Sequence, residues 1–160
     1  MANPVIQAGK RAPAFTLPSS EENRFRLTEQ RGRWVVAFFY HKNSTNGCLK
    51  QVEKFRDAKK VFQKEGAVVI GIGPGDLESH SSFSKASRLN FPLLVDRDSK
   101  VAAKYGAWRE KNVSGQSYMG LVRSTVLIDP SGKIARVWDN VRVNHHVEKV
   151  LLALREERAK

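Results

Sequence analysis

Two long apolar runs constrain the fold of this chain more than any other feature of its sequence. Residues 34–40 read WVVAFFY and residues 67–73 read AVVIGIG, and neither run contains a charged side chain. Continuous β-branched and aromatic runs of this length are typical of strands that are covered on both faces. The segment between them carries apolar residues at three- and four-residue steps: Val52, Phe55, Ala58 and Phe62. This spacing predicts an amphipathic helix from Cys48 to about Lys64, and therefore a strand–helix–strand unit.

The rest of the chain continues this alternation of short strands and helices. The patterns predict extended pieces at Ala14–Pro18 and Arg24–Thr28, helices at about Leu77–Leu89, Ser99–Gly106 and His145–Lys160, and a strand at Pro92–Asp96. Near the C-terminus, RSTVLID and IARVW flank Pro130–Gly132, which indicates a hairpin with its turn residues in place. Strands and helices followed by an antiparallel hairpin predict an α/β fold with a central mixed β-sheet flanked by helices, in the order found in thioredoxin-like folds.

Length and composition predict one domain that spans residues 1–160. The chain has 160 residues, of which 41% are hydrophobic, and it contains neither an internal repeat nor a linker rich in Pro, Gly or Ser. No apolar run approaches the roughly 20 residues of a membrane span, and the N-terminus lacks a basic start followed by an apolar stretch. A single cysteine rules out an internal disulfide bond. We therefore expect a cytoplasmic protein.

A formal net charge of +12 raises the question of an anionic partner. Such a charge attracts nucleic acids and anionic surfaces over a long range. The basic residues are scattered through the predicted helices and interleaved with acidic ones, and no zinc-finger spacing, basic zipper or RNA-binding aromatic signature accompanies them. This distribution favours a solvated basic surface, so we expect neither a nucleic-acid partner nor a membrane partner.

The only cysteine, Cys48, lies where the predicted helix begins, shortly after a buried strand. Free N–H groups and the positive end of a helix stabilise a thiolate, which is the nucleophilic form of the side chain. Gly47 lets the backbone approach a ligand closely, and the hydroxyl of Thr45 can turn towards the same point. A lone cysteine is also often a small, buried side chain that does not react. On these residues alone, both interpretations stand.

Several longer motifs resemble those of peroxiredoxins from the bacterioferritin-comigratory, or Q-type, subfamily. The segment AGKRAPAFTLP resembles the opening of these proteins, and WVVAFFYHKNSTNGC resembles their strand, loop and peroxide-reacting cysteine. The remainder is matched in the same order by AVVIGIGPGDLESHSSF, FPLLVDRDSKVAAKYGAW and YMGLVRSTVLIDPSGKIARVW. The resemblance runs nearly from end to end. It implies a thioredoxin-like fold and a thiol-dependent peroxidase that reduces hydrogen peroxide and small organic hydroperoxides.

The resemblance implies a role for each of five residues. Cys48 matches the peroxidatic nucleophile, and Thr45 matches the threonine whose hydroxyl hydrogen-bonds the peroxide. Arg123 matches the arginine that stabilises the thiolate and orients the peroxide oxygens. Gly47 and Gln51 lie at substrate-binding positions, the first through its backbone and the second where the family often has a carboxamide or carboxylate near the arginine. The implied reaction is an attack of the Cys48 sulfur on one peroxide oxygen, which yields a sulfenic acid.

The chain departs from the family pattern at four positions. His41 and Asn46 replace prolines of the active-site loop, which makes that loop less rigid. Glu53 and Ser84 stand at the two positions where Q-type members carry a resolving cysteine. The resemblance therefore implies a one-cysteine enzyme whose sulfenic acid is reduced by an external thiol: thioredoxin, glutaredoxin or a low-molecular-weight thiol. Ser84 is compatible both with a natural residue and with an engineered replacement of a cysteine.

The other candidate features predict structure rather than chemistry. The stretch GIGPG lacks the spacing of a phosphate-binding loop, so we expect a turn there. His145 and His146 lack ligating neighbours, which favours a surface pair, and we expect no metal and no cofactor. We expect a monomer or a weak homodimer. Two rival functions stay open: a redox sensor in which oxidised Cys48 signals to a partner, and a binding protein with little turnover whose basic surface contacts nucleic acid or acidic proteins.

Overall fold

The computed structural model describes residues 6–21, 24–41 and 46–160, and the side chains at positions 46–48 and 113 lie outside this description. The strands within these ranges are β1 (Thr16–Pro18), β2 (Arg24–Arg26), β3 (Trp34–Phe39), β4 (Ala67–Gly73), β5 (Leu93–Val95), β6 (Trp108–Val113), β7 (Gln116–Leu121), β8 (Ser124–Ile128) and β9 (Ile134–Trp138). The α-helices are α1 (Asn46–Lys64), α2 (Leu77–Ala86), α3 (Lys100–Lys104) and α4 (His146–Arg158). None of the helices in the described ranges is long and apolar enough to cross a membrane.

A five-stranded mixed sheet forms the centre of the structure, in the order β5-β4-β3-β8-β9. The middle strand, β3, pairs in parallel with β4 and antiparallel with β8. Strand β5 extends the parallel half, and β9 extends the antiparallel half. Two hairpins, β1–β2 and β6–β7, pair outside this sheet. The predicted α/β architecture with a central mixed sheet is confirmed.

The two faces of the sheet explain why β3 is apolar at every position. Val35, Ala37 and Phe39 belong to one core, which residues of the N-terminal hairpin and of α3 complete. The alternate side chains of β3 belong to a second core, which α1 and α4 complete. Because successive side chains of a strand point to opposite faces, both sets are removed from water.

Aromatic packing joins α1 to the second core. Phe38 of β3 stacks on Phe55 of α1, with ring centroids 4.6 Å apart and an angle of 6° between the ring planes. A Cβ atom at Gly71 would lie 2.8 Å from Phe38 Cζ and 2.9 Å from Leu93 Cδ2. A glycine within β4 therefore leaves the space that the Phe38 ring occupies.

Most predicted elements are confirmed, with changes at their ends. Helix α1 begins at Asn46 rather than at Cys48, and Val52, Phe55 and Phe62 of its apolar stripe are fully buried. Helix α2 ends at Ala86 rather than near Leu89, because the backbone turns left-handed at Arg88, with φ of 54°. The C-terminal hairpin forms between β8 and β9 as predicted.

The sequence patterns do not predict the β6–β7 hairpin. Its turn is Ser114–Gly115, and both residues have positive φ, 53° and 81°. A two-residue turn of this kind matches the right-handed twist of the strands that it joins. The first four residues of β7 are exposed, so the strand lacks the apolar alternation that reveals a half-buried strand.

Candidate active site

The end of β3 brings together the segments that carry the predicted site residues. In the ladder between β3 and β8 the last pair is Phe39 with Ser124. Tyr40 and Arg123 are the next residues beyond this pair, so they lie at the same edge of the sheet. From this edge the chain continues to α1, which begins at Asn46. The start of α1 therefore follows this edge by a few residues in sequence, whereas Arg123 is brought to the edge by the pairing of β8 with β3.

Cys48 is the third residue of α1, and Gly47 precedes it in the same first turn. The predicted position of the cysteine at the start of a helix is confirmed. The first N–H groups of an α-helix have no partner within the helix, and the helix dipole places partial positive charge at this end. Thr45, to which the resemblance assigns the peroxide-binding hydroxyl, lies outside the described residues.

Gln51 lies one helical turn beyond position 48 and is fully buried, with 0% of its surface exposed. Neither the nitrogen nor the oxygen of its carboxamide has a hydrogen-bond partner within the part of the chain that the structure describes. A buried polar group without a partner costs about 1–3 kcal/mol of stability. Such groups are rare in native proteins, and each one calls for an explanation such as a role in binding or catalysis.

Arg123 stands in the short link between β7 and β8 and is half-buried. Its backbone carbonyl accepts a hydrogen bond from the N–H of Val141 at 2.8 Å, which holds this link in place. Across the described ranges, no carboxylate lies within ion-pair distance of its guanidinium. Because arginine stays protonated in proteins, an uncompensated positive charge stands at this edge of the sheet.

A cavity of about 260 Å³ opens beside Arg123. Its other lining residues come from four segments: Tyr40 and His41, Lys111, Leu121 and Val122, and Asn140 and Val141. Lys111 is not among the site residues that the sequence predicts, because only the unpredicted β6–β7 hairpin carries that side chain to the cavity beside Arg123. The Ser-Gly pair at positions 114 and 115 is the signal that could have revealed the hairpin.

A buried tyrosine–histidine pair supports the same edge of the sheet. Tyr40 Oη lies 2.5 Å from Nδ1 of His80, and Nε2 of His80 lies 2.7 Å from the carbonyl oxygen of Pro74. A carbonyl oxygen only accepts, so Nε2 donates to Pro74, and in the neutral ring Nδ1 accepts from the tyrosine hydroxyl. Since His80 belongs to α2 and Tyr40 follows β3, the pair ties that helix to the end of the central strand.

The expectation of a surface pair at His145 and His146 is wrong for His146. His145 is exposed and pairs with Glu148, but His146 is only 3% exposed, and its Nε2 lies 2.8 Å from Thr125 Oγ1. His145 precedes α4 with a left-handed backbone, φ of 60°, and His146 is the first residue of the helix, so the two side chains face different environments. Burial, together with the positive charges of Lys149 and Arg123, lowers the pKa of His146 to about 4.

Three of the four positions at which the family pattern is broken lie on the surface or near it. Glu53 on α1 and Ser84 on α2 are partly exposed, and neither supplies a thiol. His41 is exposed at the cavity beside Arg123, and Asn46 is the first residue of α1. Among the described residues, no group of three or more His, Cys, Asp or Glu side chains is placed to hold a metal ion.

Comparisons with known sequences point to one family. Residues 8–137 match the family model described as the AhpC/TSA family. A putative peroxiredoxin Bcp of Coxiella burnetii is 40% identical over 146 residues, which cover 91% of this chain and 97% of that protein. The peroxiredoxin Bcp of Bacillus subtilis is 36% identical over 151 residues, which cover 94% of this chain and 96% of that protein.

Comparison with solved structures gives the same result. The bacterioferritin comigratory protein of Xanthomonas campestris, whose structure was studied for its alkyl peroxide reduction activity, superposes with a TM-score of 0.87 at 32% identity. The match covers 94% of this chain and 99% of that one. The predicted thioredoxin-like fold is therefore confirmed.

The lowered pKa of His146 makes the stability of the fold sensitive to acid. In the unfolded chain the imidazole titrates near its ordinary pKa of about 6.5, so below that pH the unfolded state binds a proton that the native state does not. The contribution of neutral His146 to the free energy of unfolding is complete above about pH 6.5. It is lost as the pH falls towards the native pKa of about 4. Between about pH 7.5 and pH 5, the parent should lose about 2 kcal/mol more unfolding free energy than His146→Gln, as measured by urea denaturation.

His145→Gln is the matched control for this measurement, because His145 is the exposed neighbour. Its loss of unfolding free energy on acidification should equal that of the parent within about 0.5 kcal/mol. Equal losses in the parent and in both variants would contradict the assignment of the acid-sensitive group to His146.

Replacing the unpartnered carboxamide of Gln51 should stabilise the protein. Gln51→Met keeps the length of the side chain and removes two buried polar atoms, so the free energy of unfolding should rise by about 1–2 kcal/mol. Gln63→Met, on the exposed side of the same helix, is the control and should change stability by less than about 0.5 kcal/mol. Chemical denaturation measures both changes. A Gln51→Met variant that is less stable than the parent would show that the carboxamide is hydrogen-bonded in solution.

Proposed function

The chain belongs to the AhpC/TSA family, in the bacterioferritin-comigratory (Q-type) branch of the peroxiredoxins, and we propose that Cys48 is its peroxide-reacting residue. The enzyme is a thiol-dependent peroxidase. One observation carries the assignment of the site: the only cysteine lies in the first turn of α1, the helix that follows β3, and Arg123 lies beside the end of β3. No other residue of the chain offers a thiol.

The proposed reaction is a nucleophilic displacement on oxygen. The thiolate of Cys48 attacks one peroxide oxygen, a sulfur–oxygen bond forms and the oxygen–oxygen bond breaks. The leaving oxygen carries away the electron pair of the broken bond and takes up a proton, so it departs as water or as an alcohol. Cys48 is oxidised to a sulfenic acid and the peroxide is reduced.

Three neighbours assist this displacement in the proposed mechanism. Arg123 stabilises the thiolate before the attack and the negative charge that develops on the leaving oxygen. Thr45 hydrogen-bonds the peroxide through its hydroxyl, and the N–H of Gly47 contributes a donor at the helix start. Support for Arg123 comes from its guanidinium, which has no carboxylate partner across the described ranges.

Gln51 completes the proposed site. Its carboxamide offers two donors and one acceptor oxygen, and none of them is used by the described residues. In the proposed mechanism this group hydrogen-bonds the peroxide or the guanidinium of Arg123 when the substrate is bound. The new hydrogen bonds in the complex with the peroxide then offset the free-energy cost of burying the unpartnered carboxamide.

We propose that the catalytic cycle is of the one-cysteine type. The chain has Glu53 and Ser84 where a resolving cysteine would stand, so the sulfenic acid of Cys48 has no second thiol in the same chain. An external thiol must therefore restore it, and thioredoxin, glutaredoxin and low-molecular-weight thiols are the candidates. Turnover with such a thiol separates this function from that of a sensor, which would be oxidised without sustained consumption of peroxide.

The proposed substrates are hydrogen peroxide and small organic hydroperoxides. The Xanthomonas campestris protein, described for its alkyl peroxide reduction activity, supports the organic substrates. Leu121, Val122 and Val141 are among the residues that line the cavity beside Arg123, and an alkyl group bound there would contact them. We further propose that the protein works in the cytoplasm as a single domain, as a monomer or a weak homodimer, without a nucleic-acid or membrane partner.

Trapping the sulfenic acid tests the role of Cys48. Stoichiometric hydrogen peroxide followed by dimedone should add one dimedone group to the parent and none to Cys48→Ser, as read by intact mass. Adding thioredoxin, glutaredoxin or dithiothreitol should then give sustained consumption of peroxide by the parent. A parent chain that gains neither oxygen nor dimedone would contradict the proposed nucleophile.

Removal of Arg123 should slow the oxidation of Cys48 while leaving the fold intact. Loss of one donor that stabilises developing negative charge typically costs about 100-fold in rate, so Arg123→Ala should react about 100 times more slowly with hydrogen peroxide. Arg142→Ala is the control, because Arg142 is exposed and does not line the cavity beside Arg123. Stopped-flow fluorescence gives the rates, and circular dichroism checks the fold. Equal rates in Arg123→Ala and the parent would remove Arg123 from the mechanism.

A further inference from the structure

The cavity beside Arg123 contains a second cation, Lys111, to which the proposed reaction gives no role. Lys111 is half-buried on β6, and its ammonium group donates a hydrogen bond to the carbonyl oxygen of Leu121 at 3.1 Å. An ammonium group has three donors, so this contact holds it in place and leaves donors for a ligand. The side chain is therefore positioned at the cavity rather than extended into solvent.

No carboxylate in the described part of the chain balances these two positive charges. The cavity lining contains neither Asp nor Glu. Asp139, which directly precedes the lining residue Asn140, pairs with Arg109 instead. Glu110 is exposed, and as the strand neighbour of Lys111 it points to the opposite face of β6. Partly desolvated cations without a counter-charge favour the binding of an anion.

The remaining walls of the cavity determine which anion fits. Tyr40, His41 and Asn140 supply polar lining. Leu121, Val122 and Val141, each 8% exposed, leave a small apolar surface beside the two cations. The volume of about 260 Å³ lies just below the range typical of drug-sized ligands. A short organic molecule with one carboxylate, polar groups and a small aliphatic part matches this mixed lining.

We propose that this cavity is a subsite for the carboxylate of a small organic acid that reacts at Cys48, with Lys111 and Arg123 as the groups that bind it. The inference rests on the proposed function, because the reactive atom of the ligand must reach Cys48. Two classes of reactant carry such a carboxylate: an acidic organic hydroperoxide and an acidic low-molecular-weight thiol. The net charge of +12 adds long-range attraction for either one.

The chemistry at Cys48 is defined for both classes. A hydroperoxide that carries a carboxylate oxidises the thiolate as described above and leaves as the corresponding hydroxy acid. A thiol that carries a carboxylate reacts later in the cycle. Its thiolate attacks the sulfur of the sulfenic acid, a sulfur–sulfur bond forms and the sulfur–oxygen bond breaks. The released hydroxide takes up a proton and leaves as water, and a second molecule of the thiol displaces Cys48 from the mixed disulfide.

Rate measurements on three proteins test the subsite: the parent, Lys111→Gln and Lys104→Gln. Lys104 is the matched control, because it is exposed on α3 and does not line the cavity, while its loss changes the net charge equally. The first arm compares Cys48 oxidation by a tertiary alkyl hydroperoxide that ends in a carboxylate with oxidation by tert-butyl hydroperoxide. The second arm compares reduction of the sulfenic acid by mercaptopropionate with reduction by mercaptoethanol.

The measured quantity is the rate with the carboxylate-bearing reactant divided by the rate with the neutral reactant. We expect this ratio to fall about three- to tenfold in Lys111→Gln and to keep its parental value in Lys104→Gln. The arm in which the ratio falls identifies the reactant class. Lys111→Arg keeps the charge and should retain the parental ratio, which separates loss of charge from loss of packing against the hairpin. If Lys111→Gln does not fold, the same ratio is measured in the parent at increasing salt. Binding of the carboxylate by fixed cations must weaken as salt increases, so a ratio that stays constant contradicts the subsite.

The outcomes separate this inference from the proposed function. If hydrogen peroxide oxidises Cys48 but the ratios in both arms are the same in all the folded variants, the subsite is wrong and the peroxidase function stands. If the fallback measurement shows a parental ratio that does not change with salt, the subsite is likewise wrong. A parent Cys48 that resists every peroxide overturns the proposed nucleophile, and the subsite with it.

Discussion

The antiparallel ladder between β3 and β8 is the constraint on which the site depends. Its register ends at Phe39 and Ser124, so the residues that follow on the two strands leave the sheet side by side. A slip of one residue would reverse the faces of β8 and would turn Leu127 towards the wrong core. Both faces of the sheet are buried, so the two cores hold this register. The same packing that stabilises the sheet thereby fixes where Arg123 stands relative to the end of β3.

Much of the fold can be predicted from the sequence, because the central elements carry strong patterns. The continuous apolar runs of β3 and β4 indicate strands that are buried on both faces. The three- and four-residue spacing in α1 indicates a helix that is buried on one face. The β6–β7 hairpin escapes prediction for the opposite reason: its strands pair with each other and expose most of β7, so little apolar contrast remains. Helix ends are also poorly determined by periodicity, as the early stop of α2 before Arg88 shows.

The candidate site divides in the same way between residues that local sequence identifies and residues that only the fold assembles. A lone cysteine at a helix start can be recognised from a few neighbours, and the resemblance to peroxiredoxins adds Arg123. Lys111 cannot be identified in this way. Its place beside Arg123 depends on the pairing of β6 with β7, which brings its ammonium group to the carbonyl oxygen of Leu121. The burial of His146 is equally hidden, since adjacent residues of a helix start face different surroundings.

The hydrogen bond between Tyr40 and His80 has a mechanical consequence for the molecule. Tyr40 is held by the sheet through its N–H, which donates to the Ile72 carbonyl at 3.0 Å, and by α2 through its hydroxyl. The same residue lines the cavity beside Arg123. If α2 loosens, the hydrogen bond between Tyr40 and His80 is lost, and such a bond contributes about 0.5–1.5 kcal/mol to stability. The hydrogen bond to His80 and the stacking of Tyr40 on Phe83 of α2 therefore couple the packing of this helix to the wall of the cavity.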